Sequence, residues 1–428
     1  MTRQAFAGAT AVSGIGMTEI SRRSGVSPLQ LALTASRSAI RDAGLAESDI
    51  DGVLCYHMAD SAPVTAVAEH LGLSPETWTN EIYGGGTQSA SILGDAAMLI
   101  HSGTATNVLV FRALNGRSGK RMGQAAIRVA GGETQFTIPF GMAGPVNLFA
   151  MAAARWMYDT GATEEDLASV VCQSRQLAAS NPRALLHAPI TCDEYRASPF
   201  VSTPLRRADC CQETDAGAAL IVSRADIADA VSPNSPRIAA VVRGGGGGSS
   251  SMDKAVDLSA IFSRYVAHKL WKVSGLRPTD VDVAMLYDAY SPIVLQQLED
   301  FGFCGVGGSG EFVRSGDTLP SGALPVNPHG GLLSEGTYTA STMCWRPCDS
   351  SGELRRLIRS NPRMSRCAQA SEEAMEAPPF SRALSRTTPE PAGSPSTISR
   401  VRNSPVGEDT TAIDRSGVLE TSSRASFR

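Results

Sequence analysis

The sequence has no Cys-x-x-Cys pair among its nine cysteines, and its six histidines do not fall at metal-ligand spacing from any of them. A zinc site and a disulfide framework are therefore both unsupported. Cys210 and Cys211 are adjacent, an arrangement that serves neither. Long apolar runs are also missing: none approaches the roughly 18 to 20 residues that span a bilayer. After Arg3 the amino-terminal segment holds no such run either, so a secretory signal is not expected. The cytoplasm is the expected compartment, with the cysteines as thiols. Charge of one sign is scarce as well. Lys and Arg total 38 against 42 Asp and Glu, and the net charge of -4 is too small and too evenly spread for nucleic-acid binding. What the chain does have is a hydrophobic fraction of 42% over 428 residues. That is enough for a large core built as two domain-sized units or as one duplicated unit.

Strand and helix patterns alternate along the first part. "GATAVSGIG" (8–16) reads as a short strand closing in glycine. "SPLQLALTASRSAIRDAGL" (27–45) reads as a helix, with Ser27 as cap, Pro28 in the first position and Gly44 at the end. "IDGVLCY" (50–56) follows as a buried strand. After the glycines at 84–86, "TQSASILGDAAMLIHSG" has the small and apolar spacing of a buried helix, and "NVLVFRAL" (107–114) is the next strand. Such alternation predicts α/β layers. "RGGGGGSSSMD" (243–253) is a flexible loop rather than a phosphate loop, because no Lys-Ser or Lys-Thr follows it.

One unit is repeated. "GLAESDIDGVLCY" (44–56) and "GLRPTDVDVAMLY" (275–287) match without a gap at Gly44/Gly275, Leu45/Leu276, Asp49/Asp280, Asp51/Asp282 and Tyr56/Tyr287. Each follows a helical run and ends in a strand. Either the chain holds two copies of one α/β unit, the second starting near residue 235, or helix, turn and strand units simply look alike. Residues 115–200, between strands of the first copy, read as an inserted loop domain rich in Gly, Ala and Met.

Four segments carry a family resemblance. "PLRRADCCQETDAGAALIVS" (204–223) resembles the thiolase-superfamily segment ending in a D-G-A-A-A-L strand, with the order of Ala216 and Gly217 inverted. "VAMLYDAYSPIVLQQLEDFGFCGVGGSGEFV" (283–313) and "LPVNPHGGLLSEG" (324–336) resemble the thiolase-like lipid-transfer proteins, related to the thiolase part of sterol carrier protein X. "YGGGTQSASILGDAAMLI" (83–100) falls where that branch begins its nucleophile helix. The resemblance spans residues 8–336. It implies a thiolase fold, a duplicated five-layer αβαβα unit. Residues 1–114 and 201–230 would form the amino-terminal half, 115–200 the loop domain, and 231–336 a truncated carboxy-terminal half. It also implies acyl-CoA as substrate with no cofactor, a homodimer, and in some relatives a small partner carrying a zinc ribbon and an OB fold.

Thiolase chemistry needs a Cys at the start of a buried helix, where the helix N-terminus and a nearby His favour the thiolate. The alignment places Thr87 there, and a Thr hydroxyl has no accessible anion near neutral pH. Thr87 is then a substrate-site residue or the N-cap of a core helix. Relatives without the Cys are implied to be aldolases that break a carbon–carbon bond in a steroid-like acyl-CoA. That reaction needs a base for the hydroxyl proton and a donor for the thioester enolate, but no acyl-enzyme. The resemblance makes Tyr287, in "LYDAY", the leading catalytic candidate; the competing reading is a core tyrosine at a strand end. The branch often has His where Ala289 stands. His329 in "NPHGG" either donates to a thioester oxygen or fixes its loop, and Asn327 has the same two options. Gly330 and Gly331 permit close backbone approach to a ligand. Asp288 is expected to cap or pair locally, and Cys304, Cys210 and Cys211 to be small buried residues.

From 337 to 428 neither helical nor strand period is sustained, and Ser, Arg, Pro, Thr and Glu dominate, which predicts disorder. Met343 and Trp345 have single codons. Permitted codons for "TMCWRPCDSSGEL" (342–354), read from the third base of the first, spell H-V-L-E-A-V-R-Q-L-R-G-T, an amphipathic helix resembling the one that follows this loop in the family. The expectation is a one-base deletion, or an equivalent slip, in the codons of Gly336 and Thr337. A second family tyrosine would be lost with it, and Tyr338 would be an accidental neighbour.

Overall fold

The sheet that organises the first half is assembled from strands far apart in sequence, in the order β1-β7-β4-β2-β3. These are β1 (Thr10–Met17), β2 (Gly52–His57), β3 (Trp78–Tyr83), β4 (Asn107–Asn115) and β7 (Asp215–Arg224). In this computed structural model the described residues are 4–119, 121, 131, 135–142, 144–231, 235–245 and 255–337. All fall within residues 1–376, the first of two units into which the chain divides. Strand β7 runs antiparallel to both of its neighbours, whereas β4, β2 and β3 are mutually parallel.

Helix α1 (Pro28–Asp42) forms where its end signals place it. The Ser27 hydroxyl accepts the Gln30 N–H at 3.2 Å, Pro28 occupies the first turn, and Gly44 follows at φ +65°. With α2 (Val64–Leu71) it covers one face of the sheet, burying Val53, Cys55, Leu109, Phe111 and Ile221. The alternate residues Leu54, Tyr56, Val108, Val110 and Leu220 pack on the other face with Ile92, Leu93 and Ala96 of α3 (Gln88–His101). The central strands are buried on both faces, which is why they read as continuous apolar runs. Contact between β1 and α1 needs glycine: a Cβ on Gly16 would stand 2.1 Å from the Ala35 carbonyl oxygen, and one on Gly14 2.3 Å from that of Ala39. Strand β3 and helix α2 have no counterpart in the sequence-based expectation. "WTNEIY" shows little apolar alternation because β3 is the sheet's exposed edge.

Between β4 and β7 lie α4 (Pro145–Thr160), α5 (Glu164–Ala178), α6 (Cys192–Ala197) and a two-stranded ribbon, β5 (Phe200–Ser202) with β6 (Leu205–Arg206). After β7 come α7 (Ala225–Val231) and α8 (Phe262–Ser274), then α9 (Ser291–Asp300), α10 (Ser309–Arg314) and the single-turn α11 (Gly331–Ser334).

The repeated sequence repeats a structure. Helices α1 and α8 each end at a left-handed glycine, Gly44 and Gly275. A 3-10 turn follows each, Glu47–Asp49 and Pro278–Asp280. In both copies the aspartate folds back onto the turn's start: Asp49 accepts the Ala46 N–H and Asp280 that of Arg277, each at 2.8 Å. The copies then diverge. Strand β2 has ladder partners on both sides, whereas the equivalent segment near residues 283–288 makes one isolated bridge, Ala284 to Val326. Among the described residues the second copy contributes no strand to a sheet. Its apolar side chains, Ala284, Leu286 and Val326, pack instead with Trp156 of α4, Leu167 and Val171 of α5, and Leu295 and Leu298 of α9. Residues 246–254 of the glycine-rich loop, and 338–428, lie outside the described residues. Thr337, expected to open the disordered segment, is instead paired: its N–H donates to the Gln212 carbonyl at 2.7 Å.

Candidate active site

Two segments of the second copy, 284–290 and 326–337, are held together by side chains that replace a missing ladder. Asn327 has φ +44°, a left-handed conformation that Asn tolerates better than most residues. Its carboxamide Oδ1 accepts the Leu286 N–H and its Nδ2 donates to the Leu286 carbonyl, both at 2.9 Å. Next along the chain, the Asp288 carboxylate accepts the N–H groups of Leu332 at 3.0 Å and Leu333 at 3.2 Å, capping α11. Asp288 is 2% exposed, and burial pushes its carboxyl up to about 7 against the opposing effect of those two N–H donors. The expectation that Asp288 caps or pairs locally is corrected in one respect: it caps, but the helix it caps begins 43 residues further along the chain.

The two glycines of "NPHGG" are fixed by what they touch. Gly331 has φ +64°, and a Cβ there would lie 1.9 Å from an Asp288 carboxylate oxygen. Gly330 has φ +96°, and its Cβ position lies 2.6 Å from the Ala178 Cβ at the end of α5. In this structure the close approach these glycines allow is to Asp288 and to α5. The His329 ring is 3% exposed, with Nε2 3.6 Å from the Glu335 carboxylate, itself 1% exposed. Asn181, just beyond α5, donates to both the His329 carbonyl at 2.9 Å and Glu335 Oε1 at 3.0 Å. Ser174 on α5 pairs with the Ser334 hydroxyl at 2.7 Å and donates to the Gly330 carbonyl at 2.5 Å. The backbone N–H groups of Leu185 and Leu186 bond the carbonyls of Glu335 and Ser334. A cavity of about 20 Å3, the size of one water, lies between Asp288, Asn327, Gln173, Ser174 and Thr318 on one part of its wall and Val170, Leu177, Val294, Val313, Val326 and Leu333 on the rest.

Tyr287 is half-buried, between Phe262 at a ring separation of 6.2 Å and the side chains of Cys211, Met285 and Leu332. Gln297 of α9 fixes its backbone, accepting the Tyr287 N–H at 3.2 Å and donating to its carbonyl at 2.6 Å. Burial, then Cys211, Tyr56 and Asp288, raises the phenol's pKa above its ordinary range. Cys210, Cys211 and Cys304, expected to be buried, are half-buried, and desolvation pushes their thiols up to about 12. Thr87 stands at the N-cap position of α3, but its backbone is αR and its hydroxyl makes no capping bond. The N-cap alternative is corrected in that respect: Thr87 is exposed, and its hydroxyl is not spent on the helix end. No hydrogen bond joins it to the Tyr287–His329 segments among the described residues.

Sequence reading missed Ser174, Asn181 and Gln297. Ser174 and Asn181 lie about 150 residues from the loop they hold, and nothing local marks them. Among the described residues no group of His, Cys, Asp and Glu is arranged to hold a metal ion, and no helix is long and apolar enough to cross a membrane.

With this geometry in view, comparisons with known proteins are specific. Residues 245–345 match the family model for the thiolase C-terminal domain-like family. The chain is 37% identical over 340 residues to the 17-hydroxy-3-oxo-4-pregnene-20-carboxyl-CoA lyase of Mycobacterium tuberculosis, covering 77% of this chain and 88% of that one. It is 38% identical over 339 residues to the steroid side-chain-cleaving aldolase of Thermomonospora curvata, covering 77% and 86%. Among solved structures, the Ltp2-ChsH2(DUF35) aldolase superposes with a TM-score of 0.72 at 35% identity, over 84% of this chain and 92% of that one. The α/β sheet with its repeated helix-and-turn unit is thus a thiolase fold, and the chain belongs to the thiolase superfamily, in its lipid-transfer-like branch.

Proposed function

We propose that this protein binds a bulky, steroid-type acyl-CoA and cleaves a carbon–carbon bond in its side chain by retro-aldol chemistry. The observation that carries this reading is the identity to two side-chain-cleaving relatives across more than four-fifths of their length. In the reaction a base removes the β-hydroxyl proton, the Cα–Cβ bond breaks, and its electron pair enters the thioester as an enolate. The β-carbon leaves as a carbonyl compound, and the enolate is reprotonated. Acyl-CoA enters as substrate, with no resident cofactor.

Tyr287 fits the donor half of this scheme, because a phenol is protonated near neutrality and can donate to an enolate oxygen. His329, Asn327, Gly330 and Gly331 shape the loop beside it, the imidazole being set against Glu335. Asp288 is the nearest carboxyl in sequence, but both its oxygens hold α11. Thr87 lies at the amino end of α3, where a thiolase would carry its nucleophile, and a hydroxyl there does not support thiolase-type acyl transfer.

We extend the proposal to organisation. Residues 1–114 with 201–230, and 231–336, are the two thiolase halves, with 115–200 as the loop domain. The open edge of β3, with Tyr83 72% exposed and Trp78 48% exposed, is suited to pairing with a second copy in a homodimer. A small zinc-ribbon and OB-fold protein is the proposed partner, and the cytoplasm the proposed site of action. The reading frame is proposed to slip at the codons of Gly336 and Thr337, which impairs activity in the present chain.

The test uses the present chain and a frame-restored chain with a β-hydroxy steroid acyl-CoA, with and without the partner. Both are expected to bind the acyl-CoA. The restored chain is expected to release a steroid ketone and a shortened acyl-CoA, seen by mass spectrometry. Binding without ketone from either chain would leave a non-catalytic acyl-CoA binder and overturn the aldolase reading.

A further inference from the structure

The carboxylate of Asp209 is fully buried and joins three elements. Tyr195 of α6 donates its hydroxyl between both oxygens at 3.0 Å, and the Arg206 N–H of β6 reaches Oδ2 at 2.6 Å. The third donor is Ser291, the first residue of α9, whose hydroxyl bonds Oδ1 at 2.5 Å. A carboxylate so deep is tolerated only when donors replace its lost water, and a negative group beside the first turn of a helix is favoured further. Tyr195, Asp209 and Ser291 are all 0% exposed, so the cluster meets no ligand directly.

What the cluster does touch is the string that carries Tyr287. Ser291 follows "LYDAY" (286–290) directly, and the residues after Asp209 run beside the same string. The Cys211 N–H donates to the Ala289 carbonyl at 3.0 Å, and Cys210 bridges Tyr290. At the other end Gln297 holds both backbone groups of Tyr287. The Tyr287 hydroxyl itself makes no hydrogen bond among the described residues. Its direction is therefore set by the backbone of 287–291 and by the contacts of its ring, and Asp209 fixes the carboxy-terminal end of that segment.

We propose that Asp209 is a positioning residue for Tyr287, acting through the Ser291 hydroxyl and the first turn of α9. With that bond in place the 287–291 segment is held at both ends, and the phenol keeps one direction. Without it the hold at residue 291 is lost, and a proton donor displaced by about 1 Å costs about 10²-fold in rate with binding unchanged. The part of Tyr287 in turnover rests on the aldolase reading, whereas the hold on its ring does not.

The experiment incorporates isotope-labelled tyrosine into the full-length chain and assigns the Tyr287 NMR resonance by its absence in Tyr287→Phe. Ser291→Ala is expected to shift or broaden that resonance, and Ser291→Thr, which keeps the hydroxyl, to leave it at the wild-type position. Ser309→Ala removes a bond of the same kind, 2.7 Å to Glu299 near the other end of α9, and should lower stability without moving the resonance. Ser291→Cys, with a weaker donor, serves if the alanine variant does not fold. In a frame-restored chain Ser291→Ala should lower kcat about 10- to 10²-fold at unchanged KM. A Tyr287 resonance identical in wild type and Ser291→Ala, or moved equally by Ser309→Ala, would overturn the proposal, and so would a moved resonance with kcat unchanged. Absence of product from every chain would count against the aldolase reading and leave the resonance to decide the hold.

Discussion

Asn327 takes up both backbone groups of Leu286 through its side chain, so one carboxamide does the work of a β-ladder partner. Asn327→Asp keeps the acceptor but sets a carboxylate against the Leu286 carbonyl. Urea unfolding is expected to show a loss of roughly 2–4 kcal/mol, from one unsatisfied buried acceptor and one unpaired charge. A loss within error of zero would mean the Ala284–Val326 bridge, Asp288 and packing hold the segments without this carboxamide.

Asp288 makes stability fall as pH rises. Its folded pKa of about 7 lies above the roughly 3.9 of an unfolded aspartate, so the folded chain binds this proton more tightly. Its contribution is fully present below about pH 4 and is lost as pH rises through about 7. Buried Asp209 is shifted in the same direction. Asp60, Asp166, Asp215 and Asp257 are shifted down, so their contributions are lost only in more acid solution. Subtracting the Asp288→Asn curve from the wild-type curve should leave a falling difference between about pH 4 and 7. A flat difference would rule out Asp288 as its source.

Tyr287→Phe keeps the ring against Phe262 and removes only the hydroxyl. In a frame-restored chain the cleavage rate should fall by about 10²- to 10⁴-fold, the span of a lost proton-transfer group, with little change in acyl-CoA affinity. Equal loss of affinity and rate would make Tyr287 a packing residue instead.

Thr87→Cys places a thiol at the start of α3, on an exposed position. Incubation with a radiolabelled acyl-CoA should label the variant and leave the wild-type chain unlabelled. Label on the wild-type chain would restore the acyl-transfer reading.

Gly16→Ala tests how closely β1 meets α1. The added methyl would meet the Ala35 carbonyl oxygen at 2.1 Å, and overpacking of this kind costs about 1–3 kcal/mol or more. The expected result is a lower unfolding midpoint with the denaturant slope unchanged.

Sequencing the gene through codons 330–350 tests the frame. One missing base relative to related isolates is expected, and intact codons spelling the present residues in those isolates would refute the slip.

By itself the sequence determined the alternation of strand and helix in the first copy, the ends of α1 and the repeated helix-and-turn unit. Each of these is set by groups a few residues apart: Ser27 with Gln30, Asp49 with Ala46, Asp280 with Arg277. The motifs around Tyr287 and His329 were legible for the same reason, as contiguous strings. Only the tertiary structure decided that β3 is an open edge and that Thr87 leaves its helix end uncapped. It also decided that Asp288 holds α11, and that Ser174 and Asn181 grip the loop from α5. The grips of Ser174 and Asn181 depend on buried polar groups finding partners about 150 residues away, and satisfying them is a constraint on the whole packed chain that no local window contains.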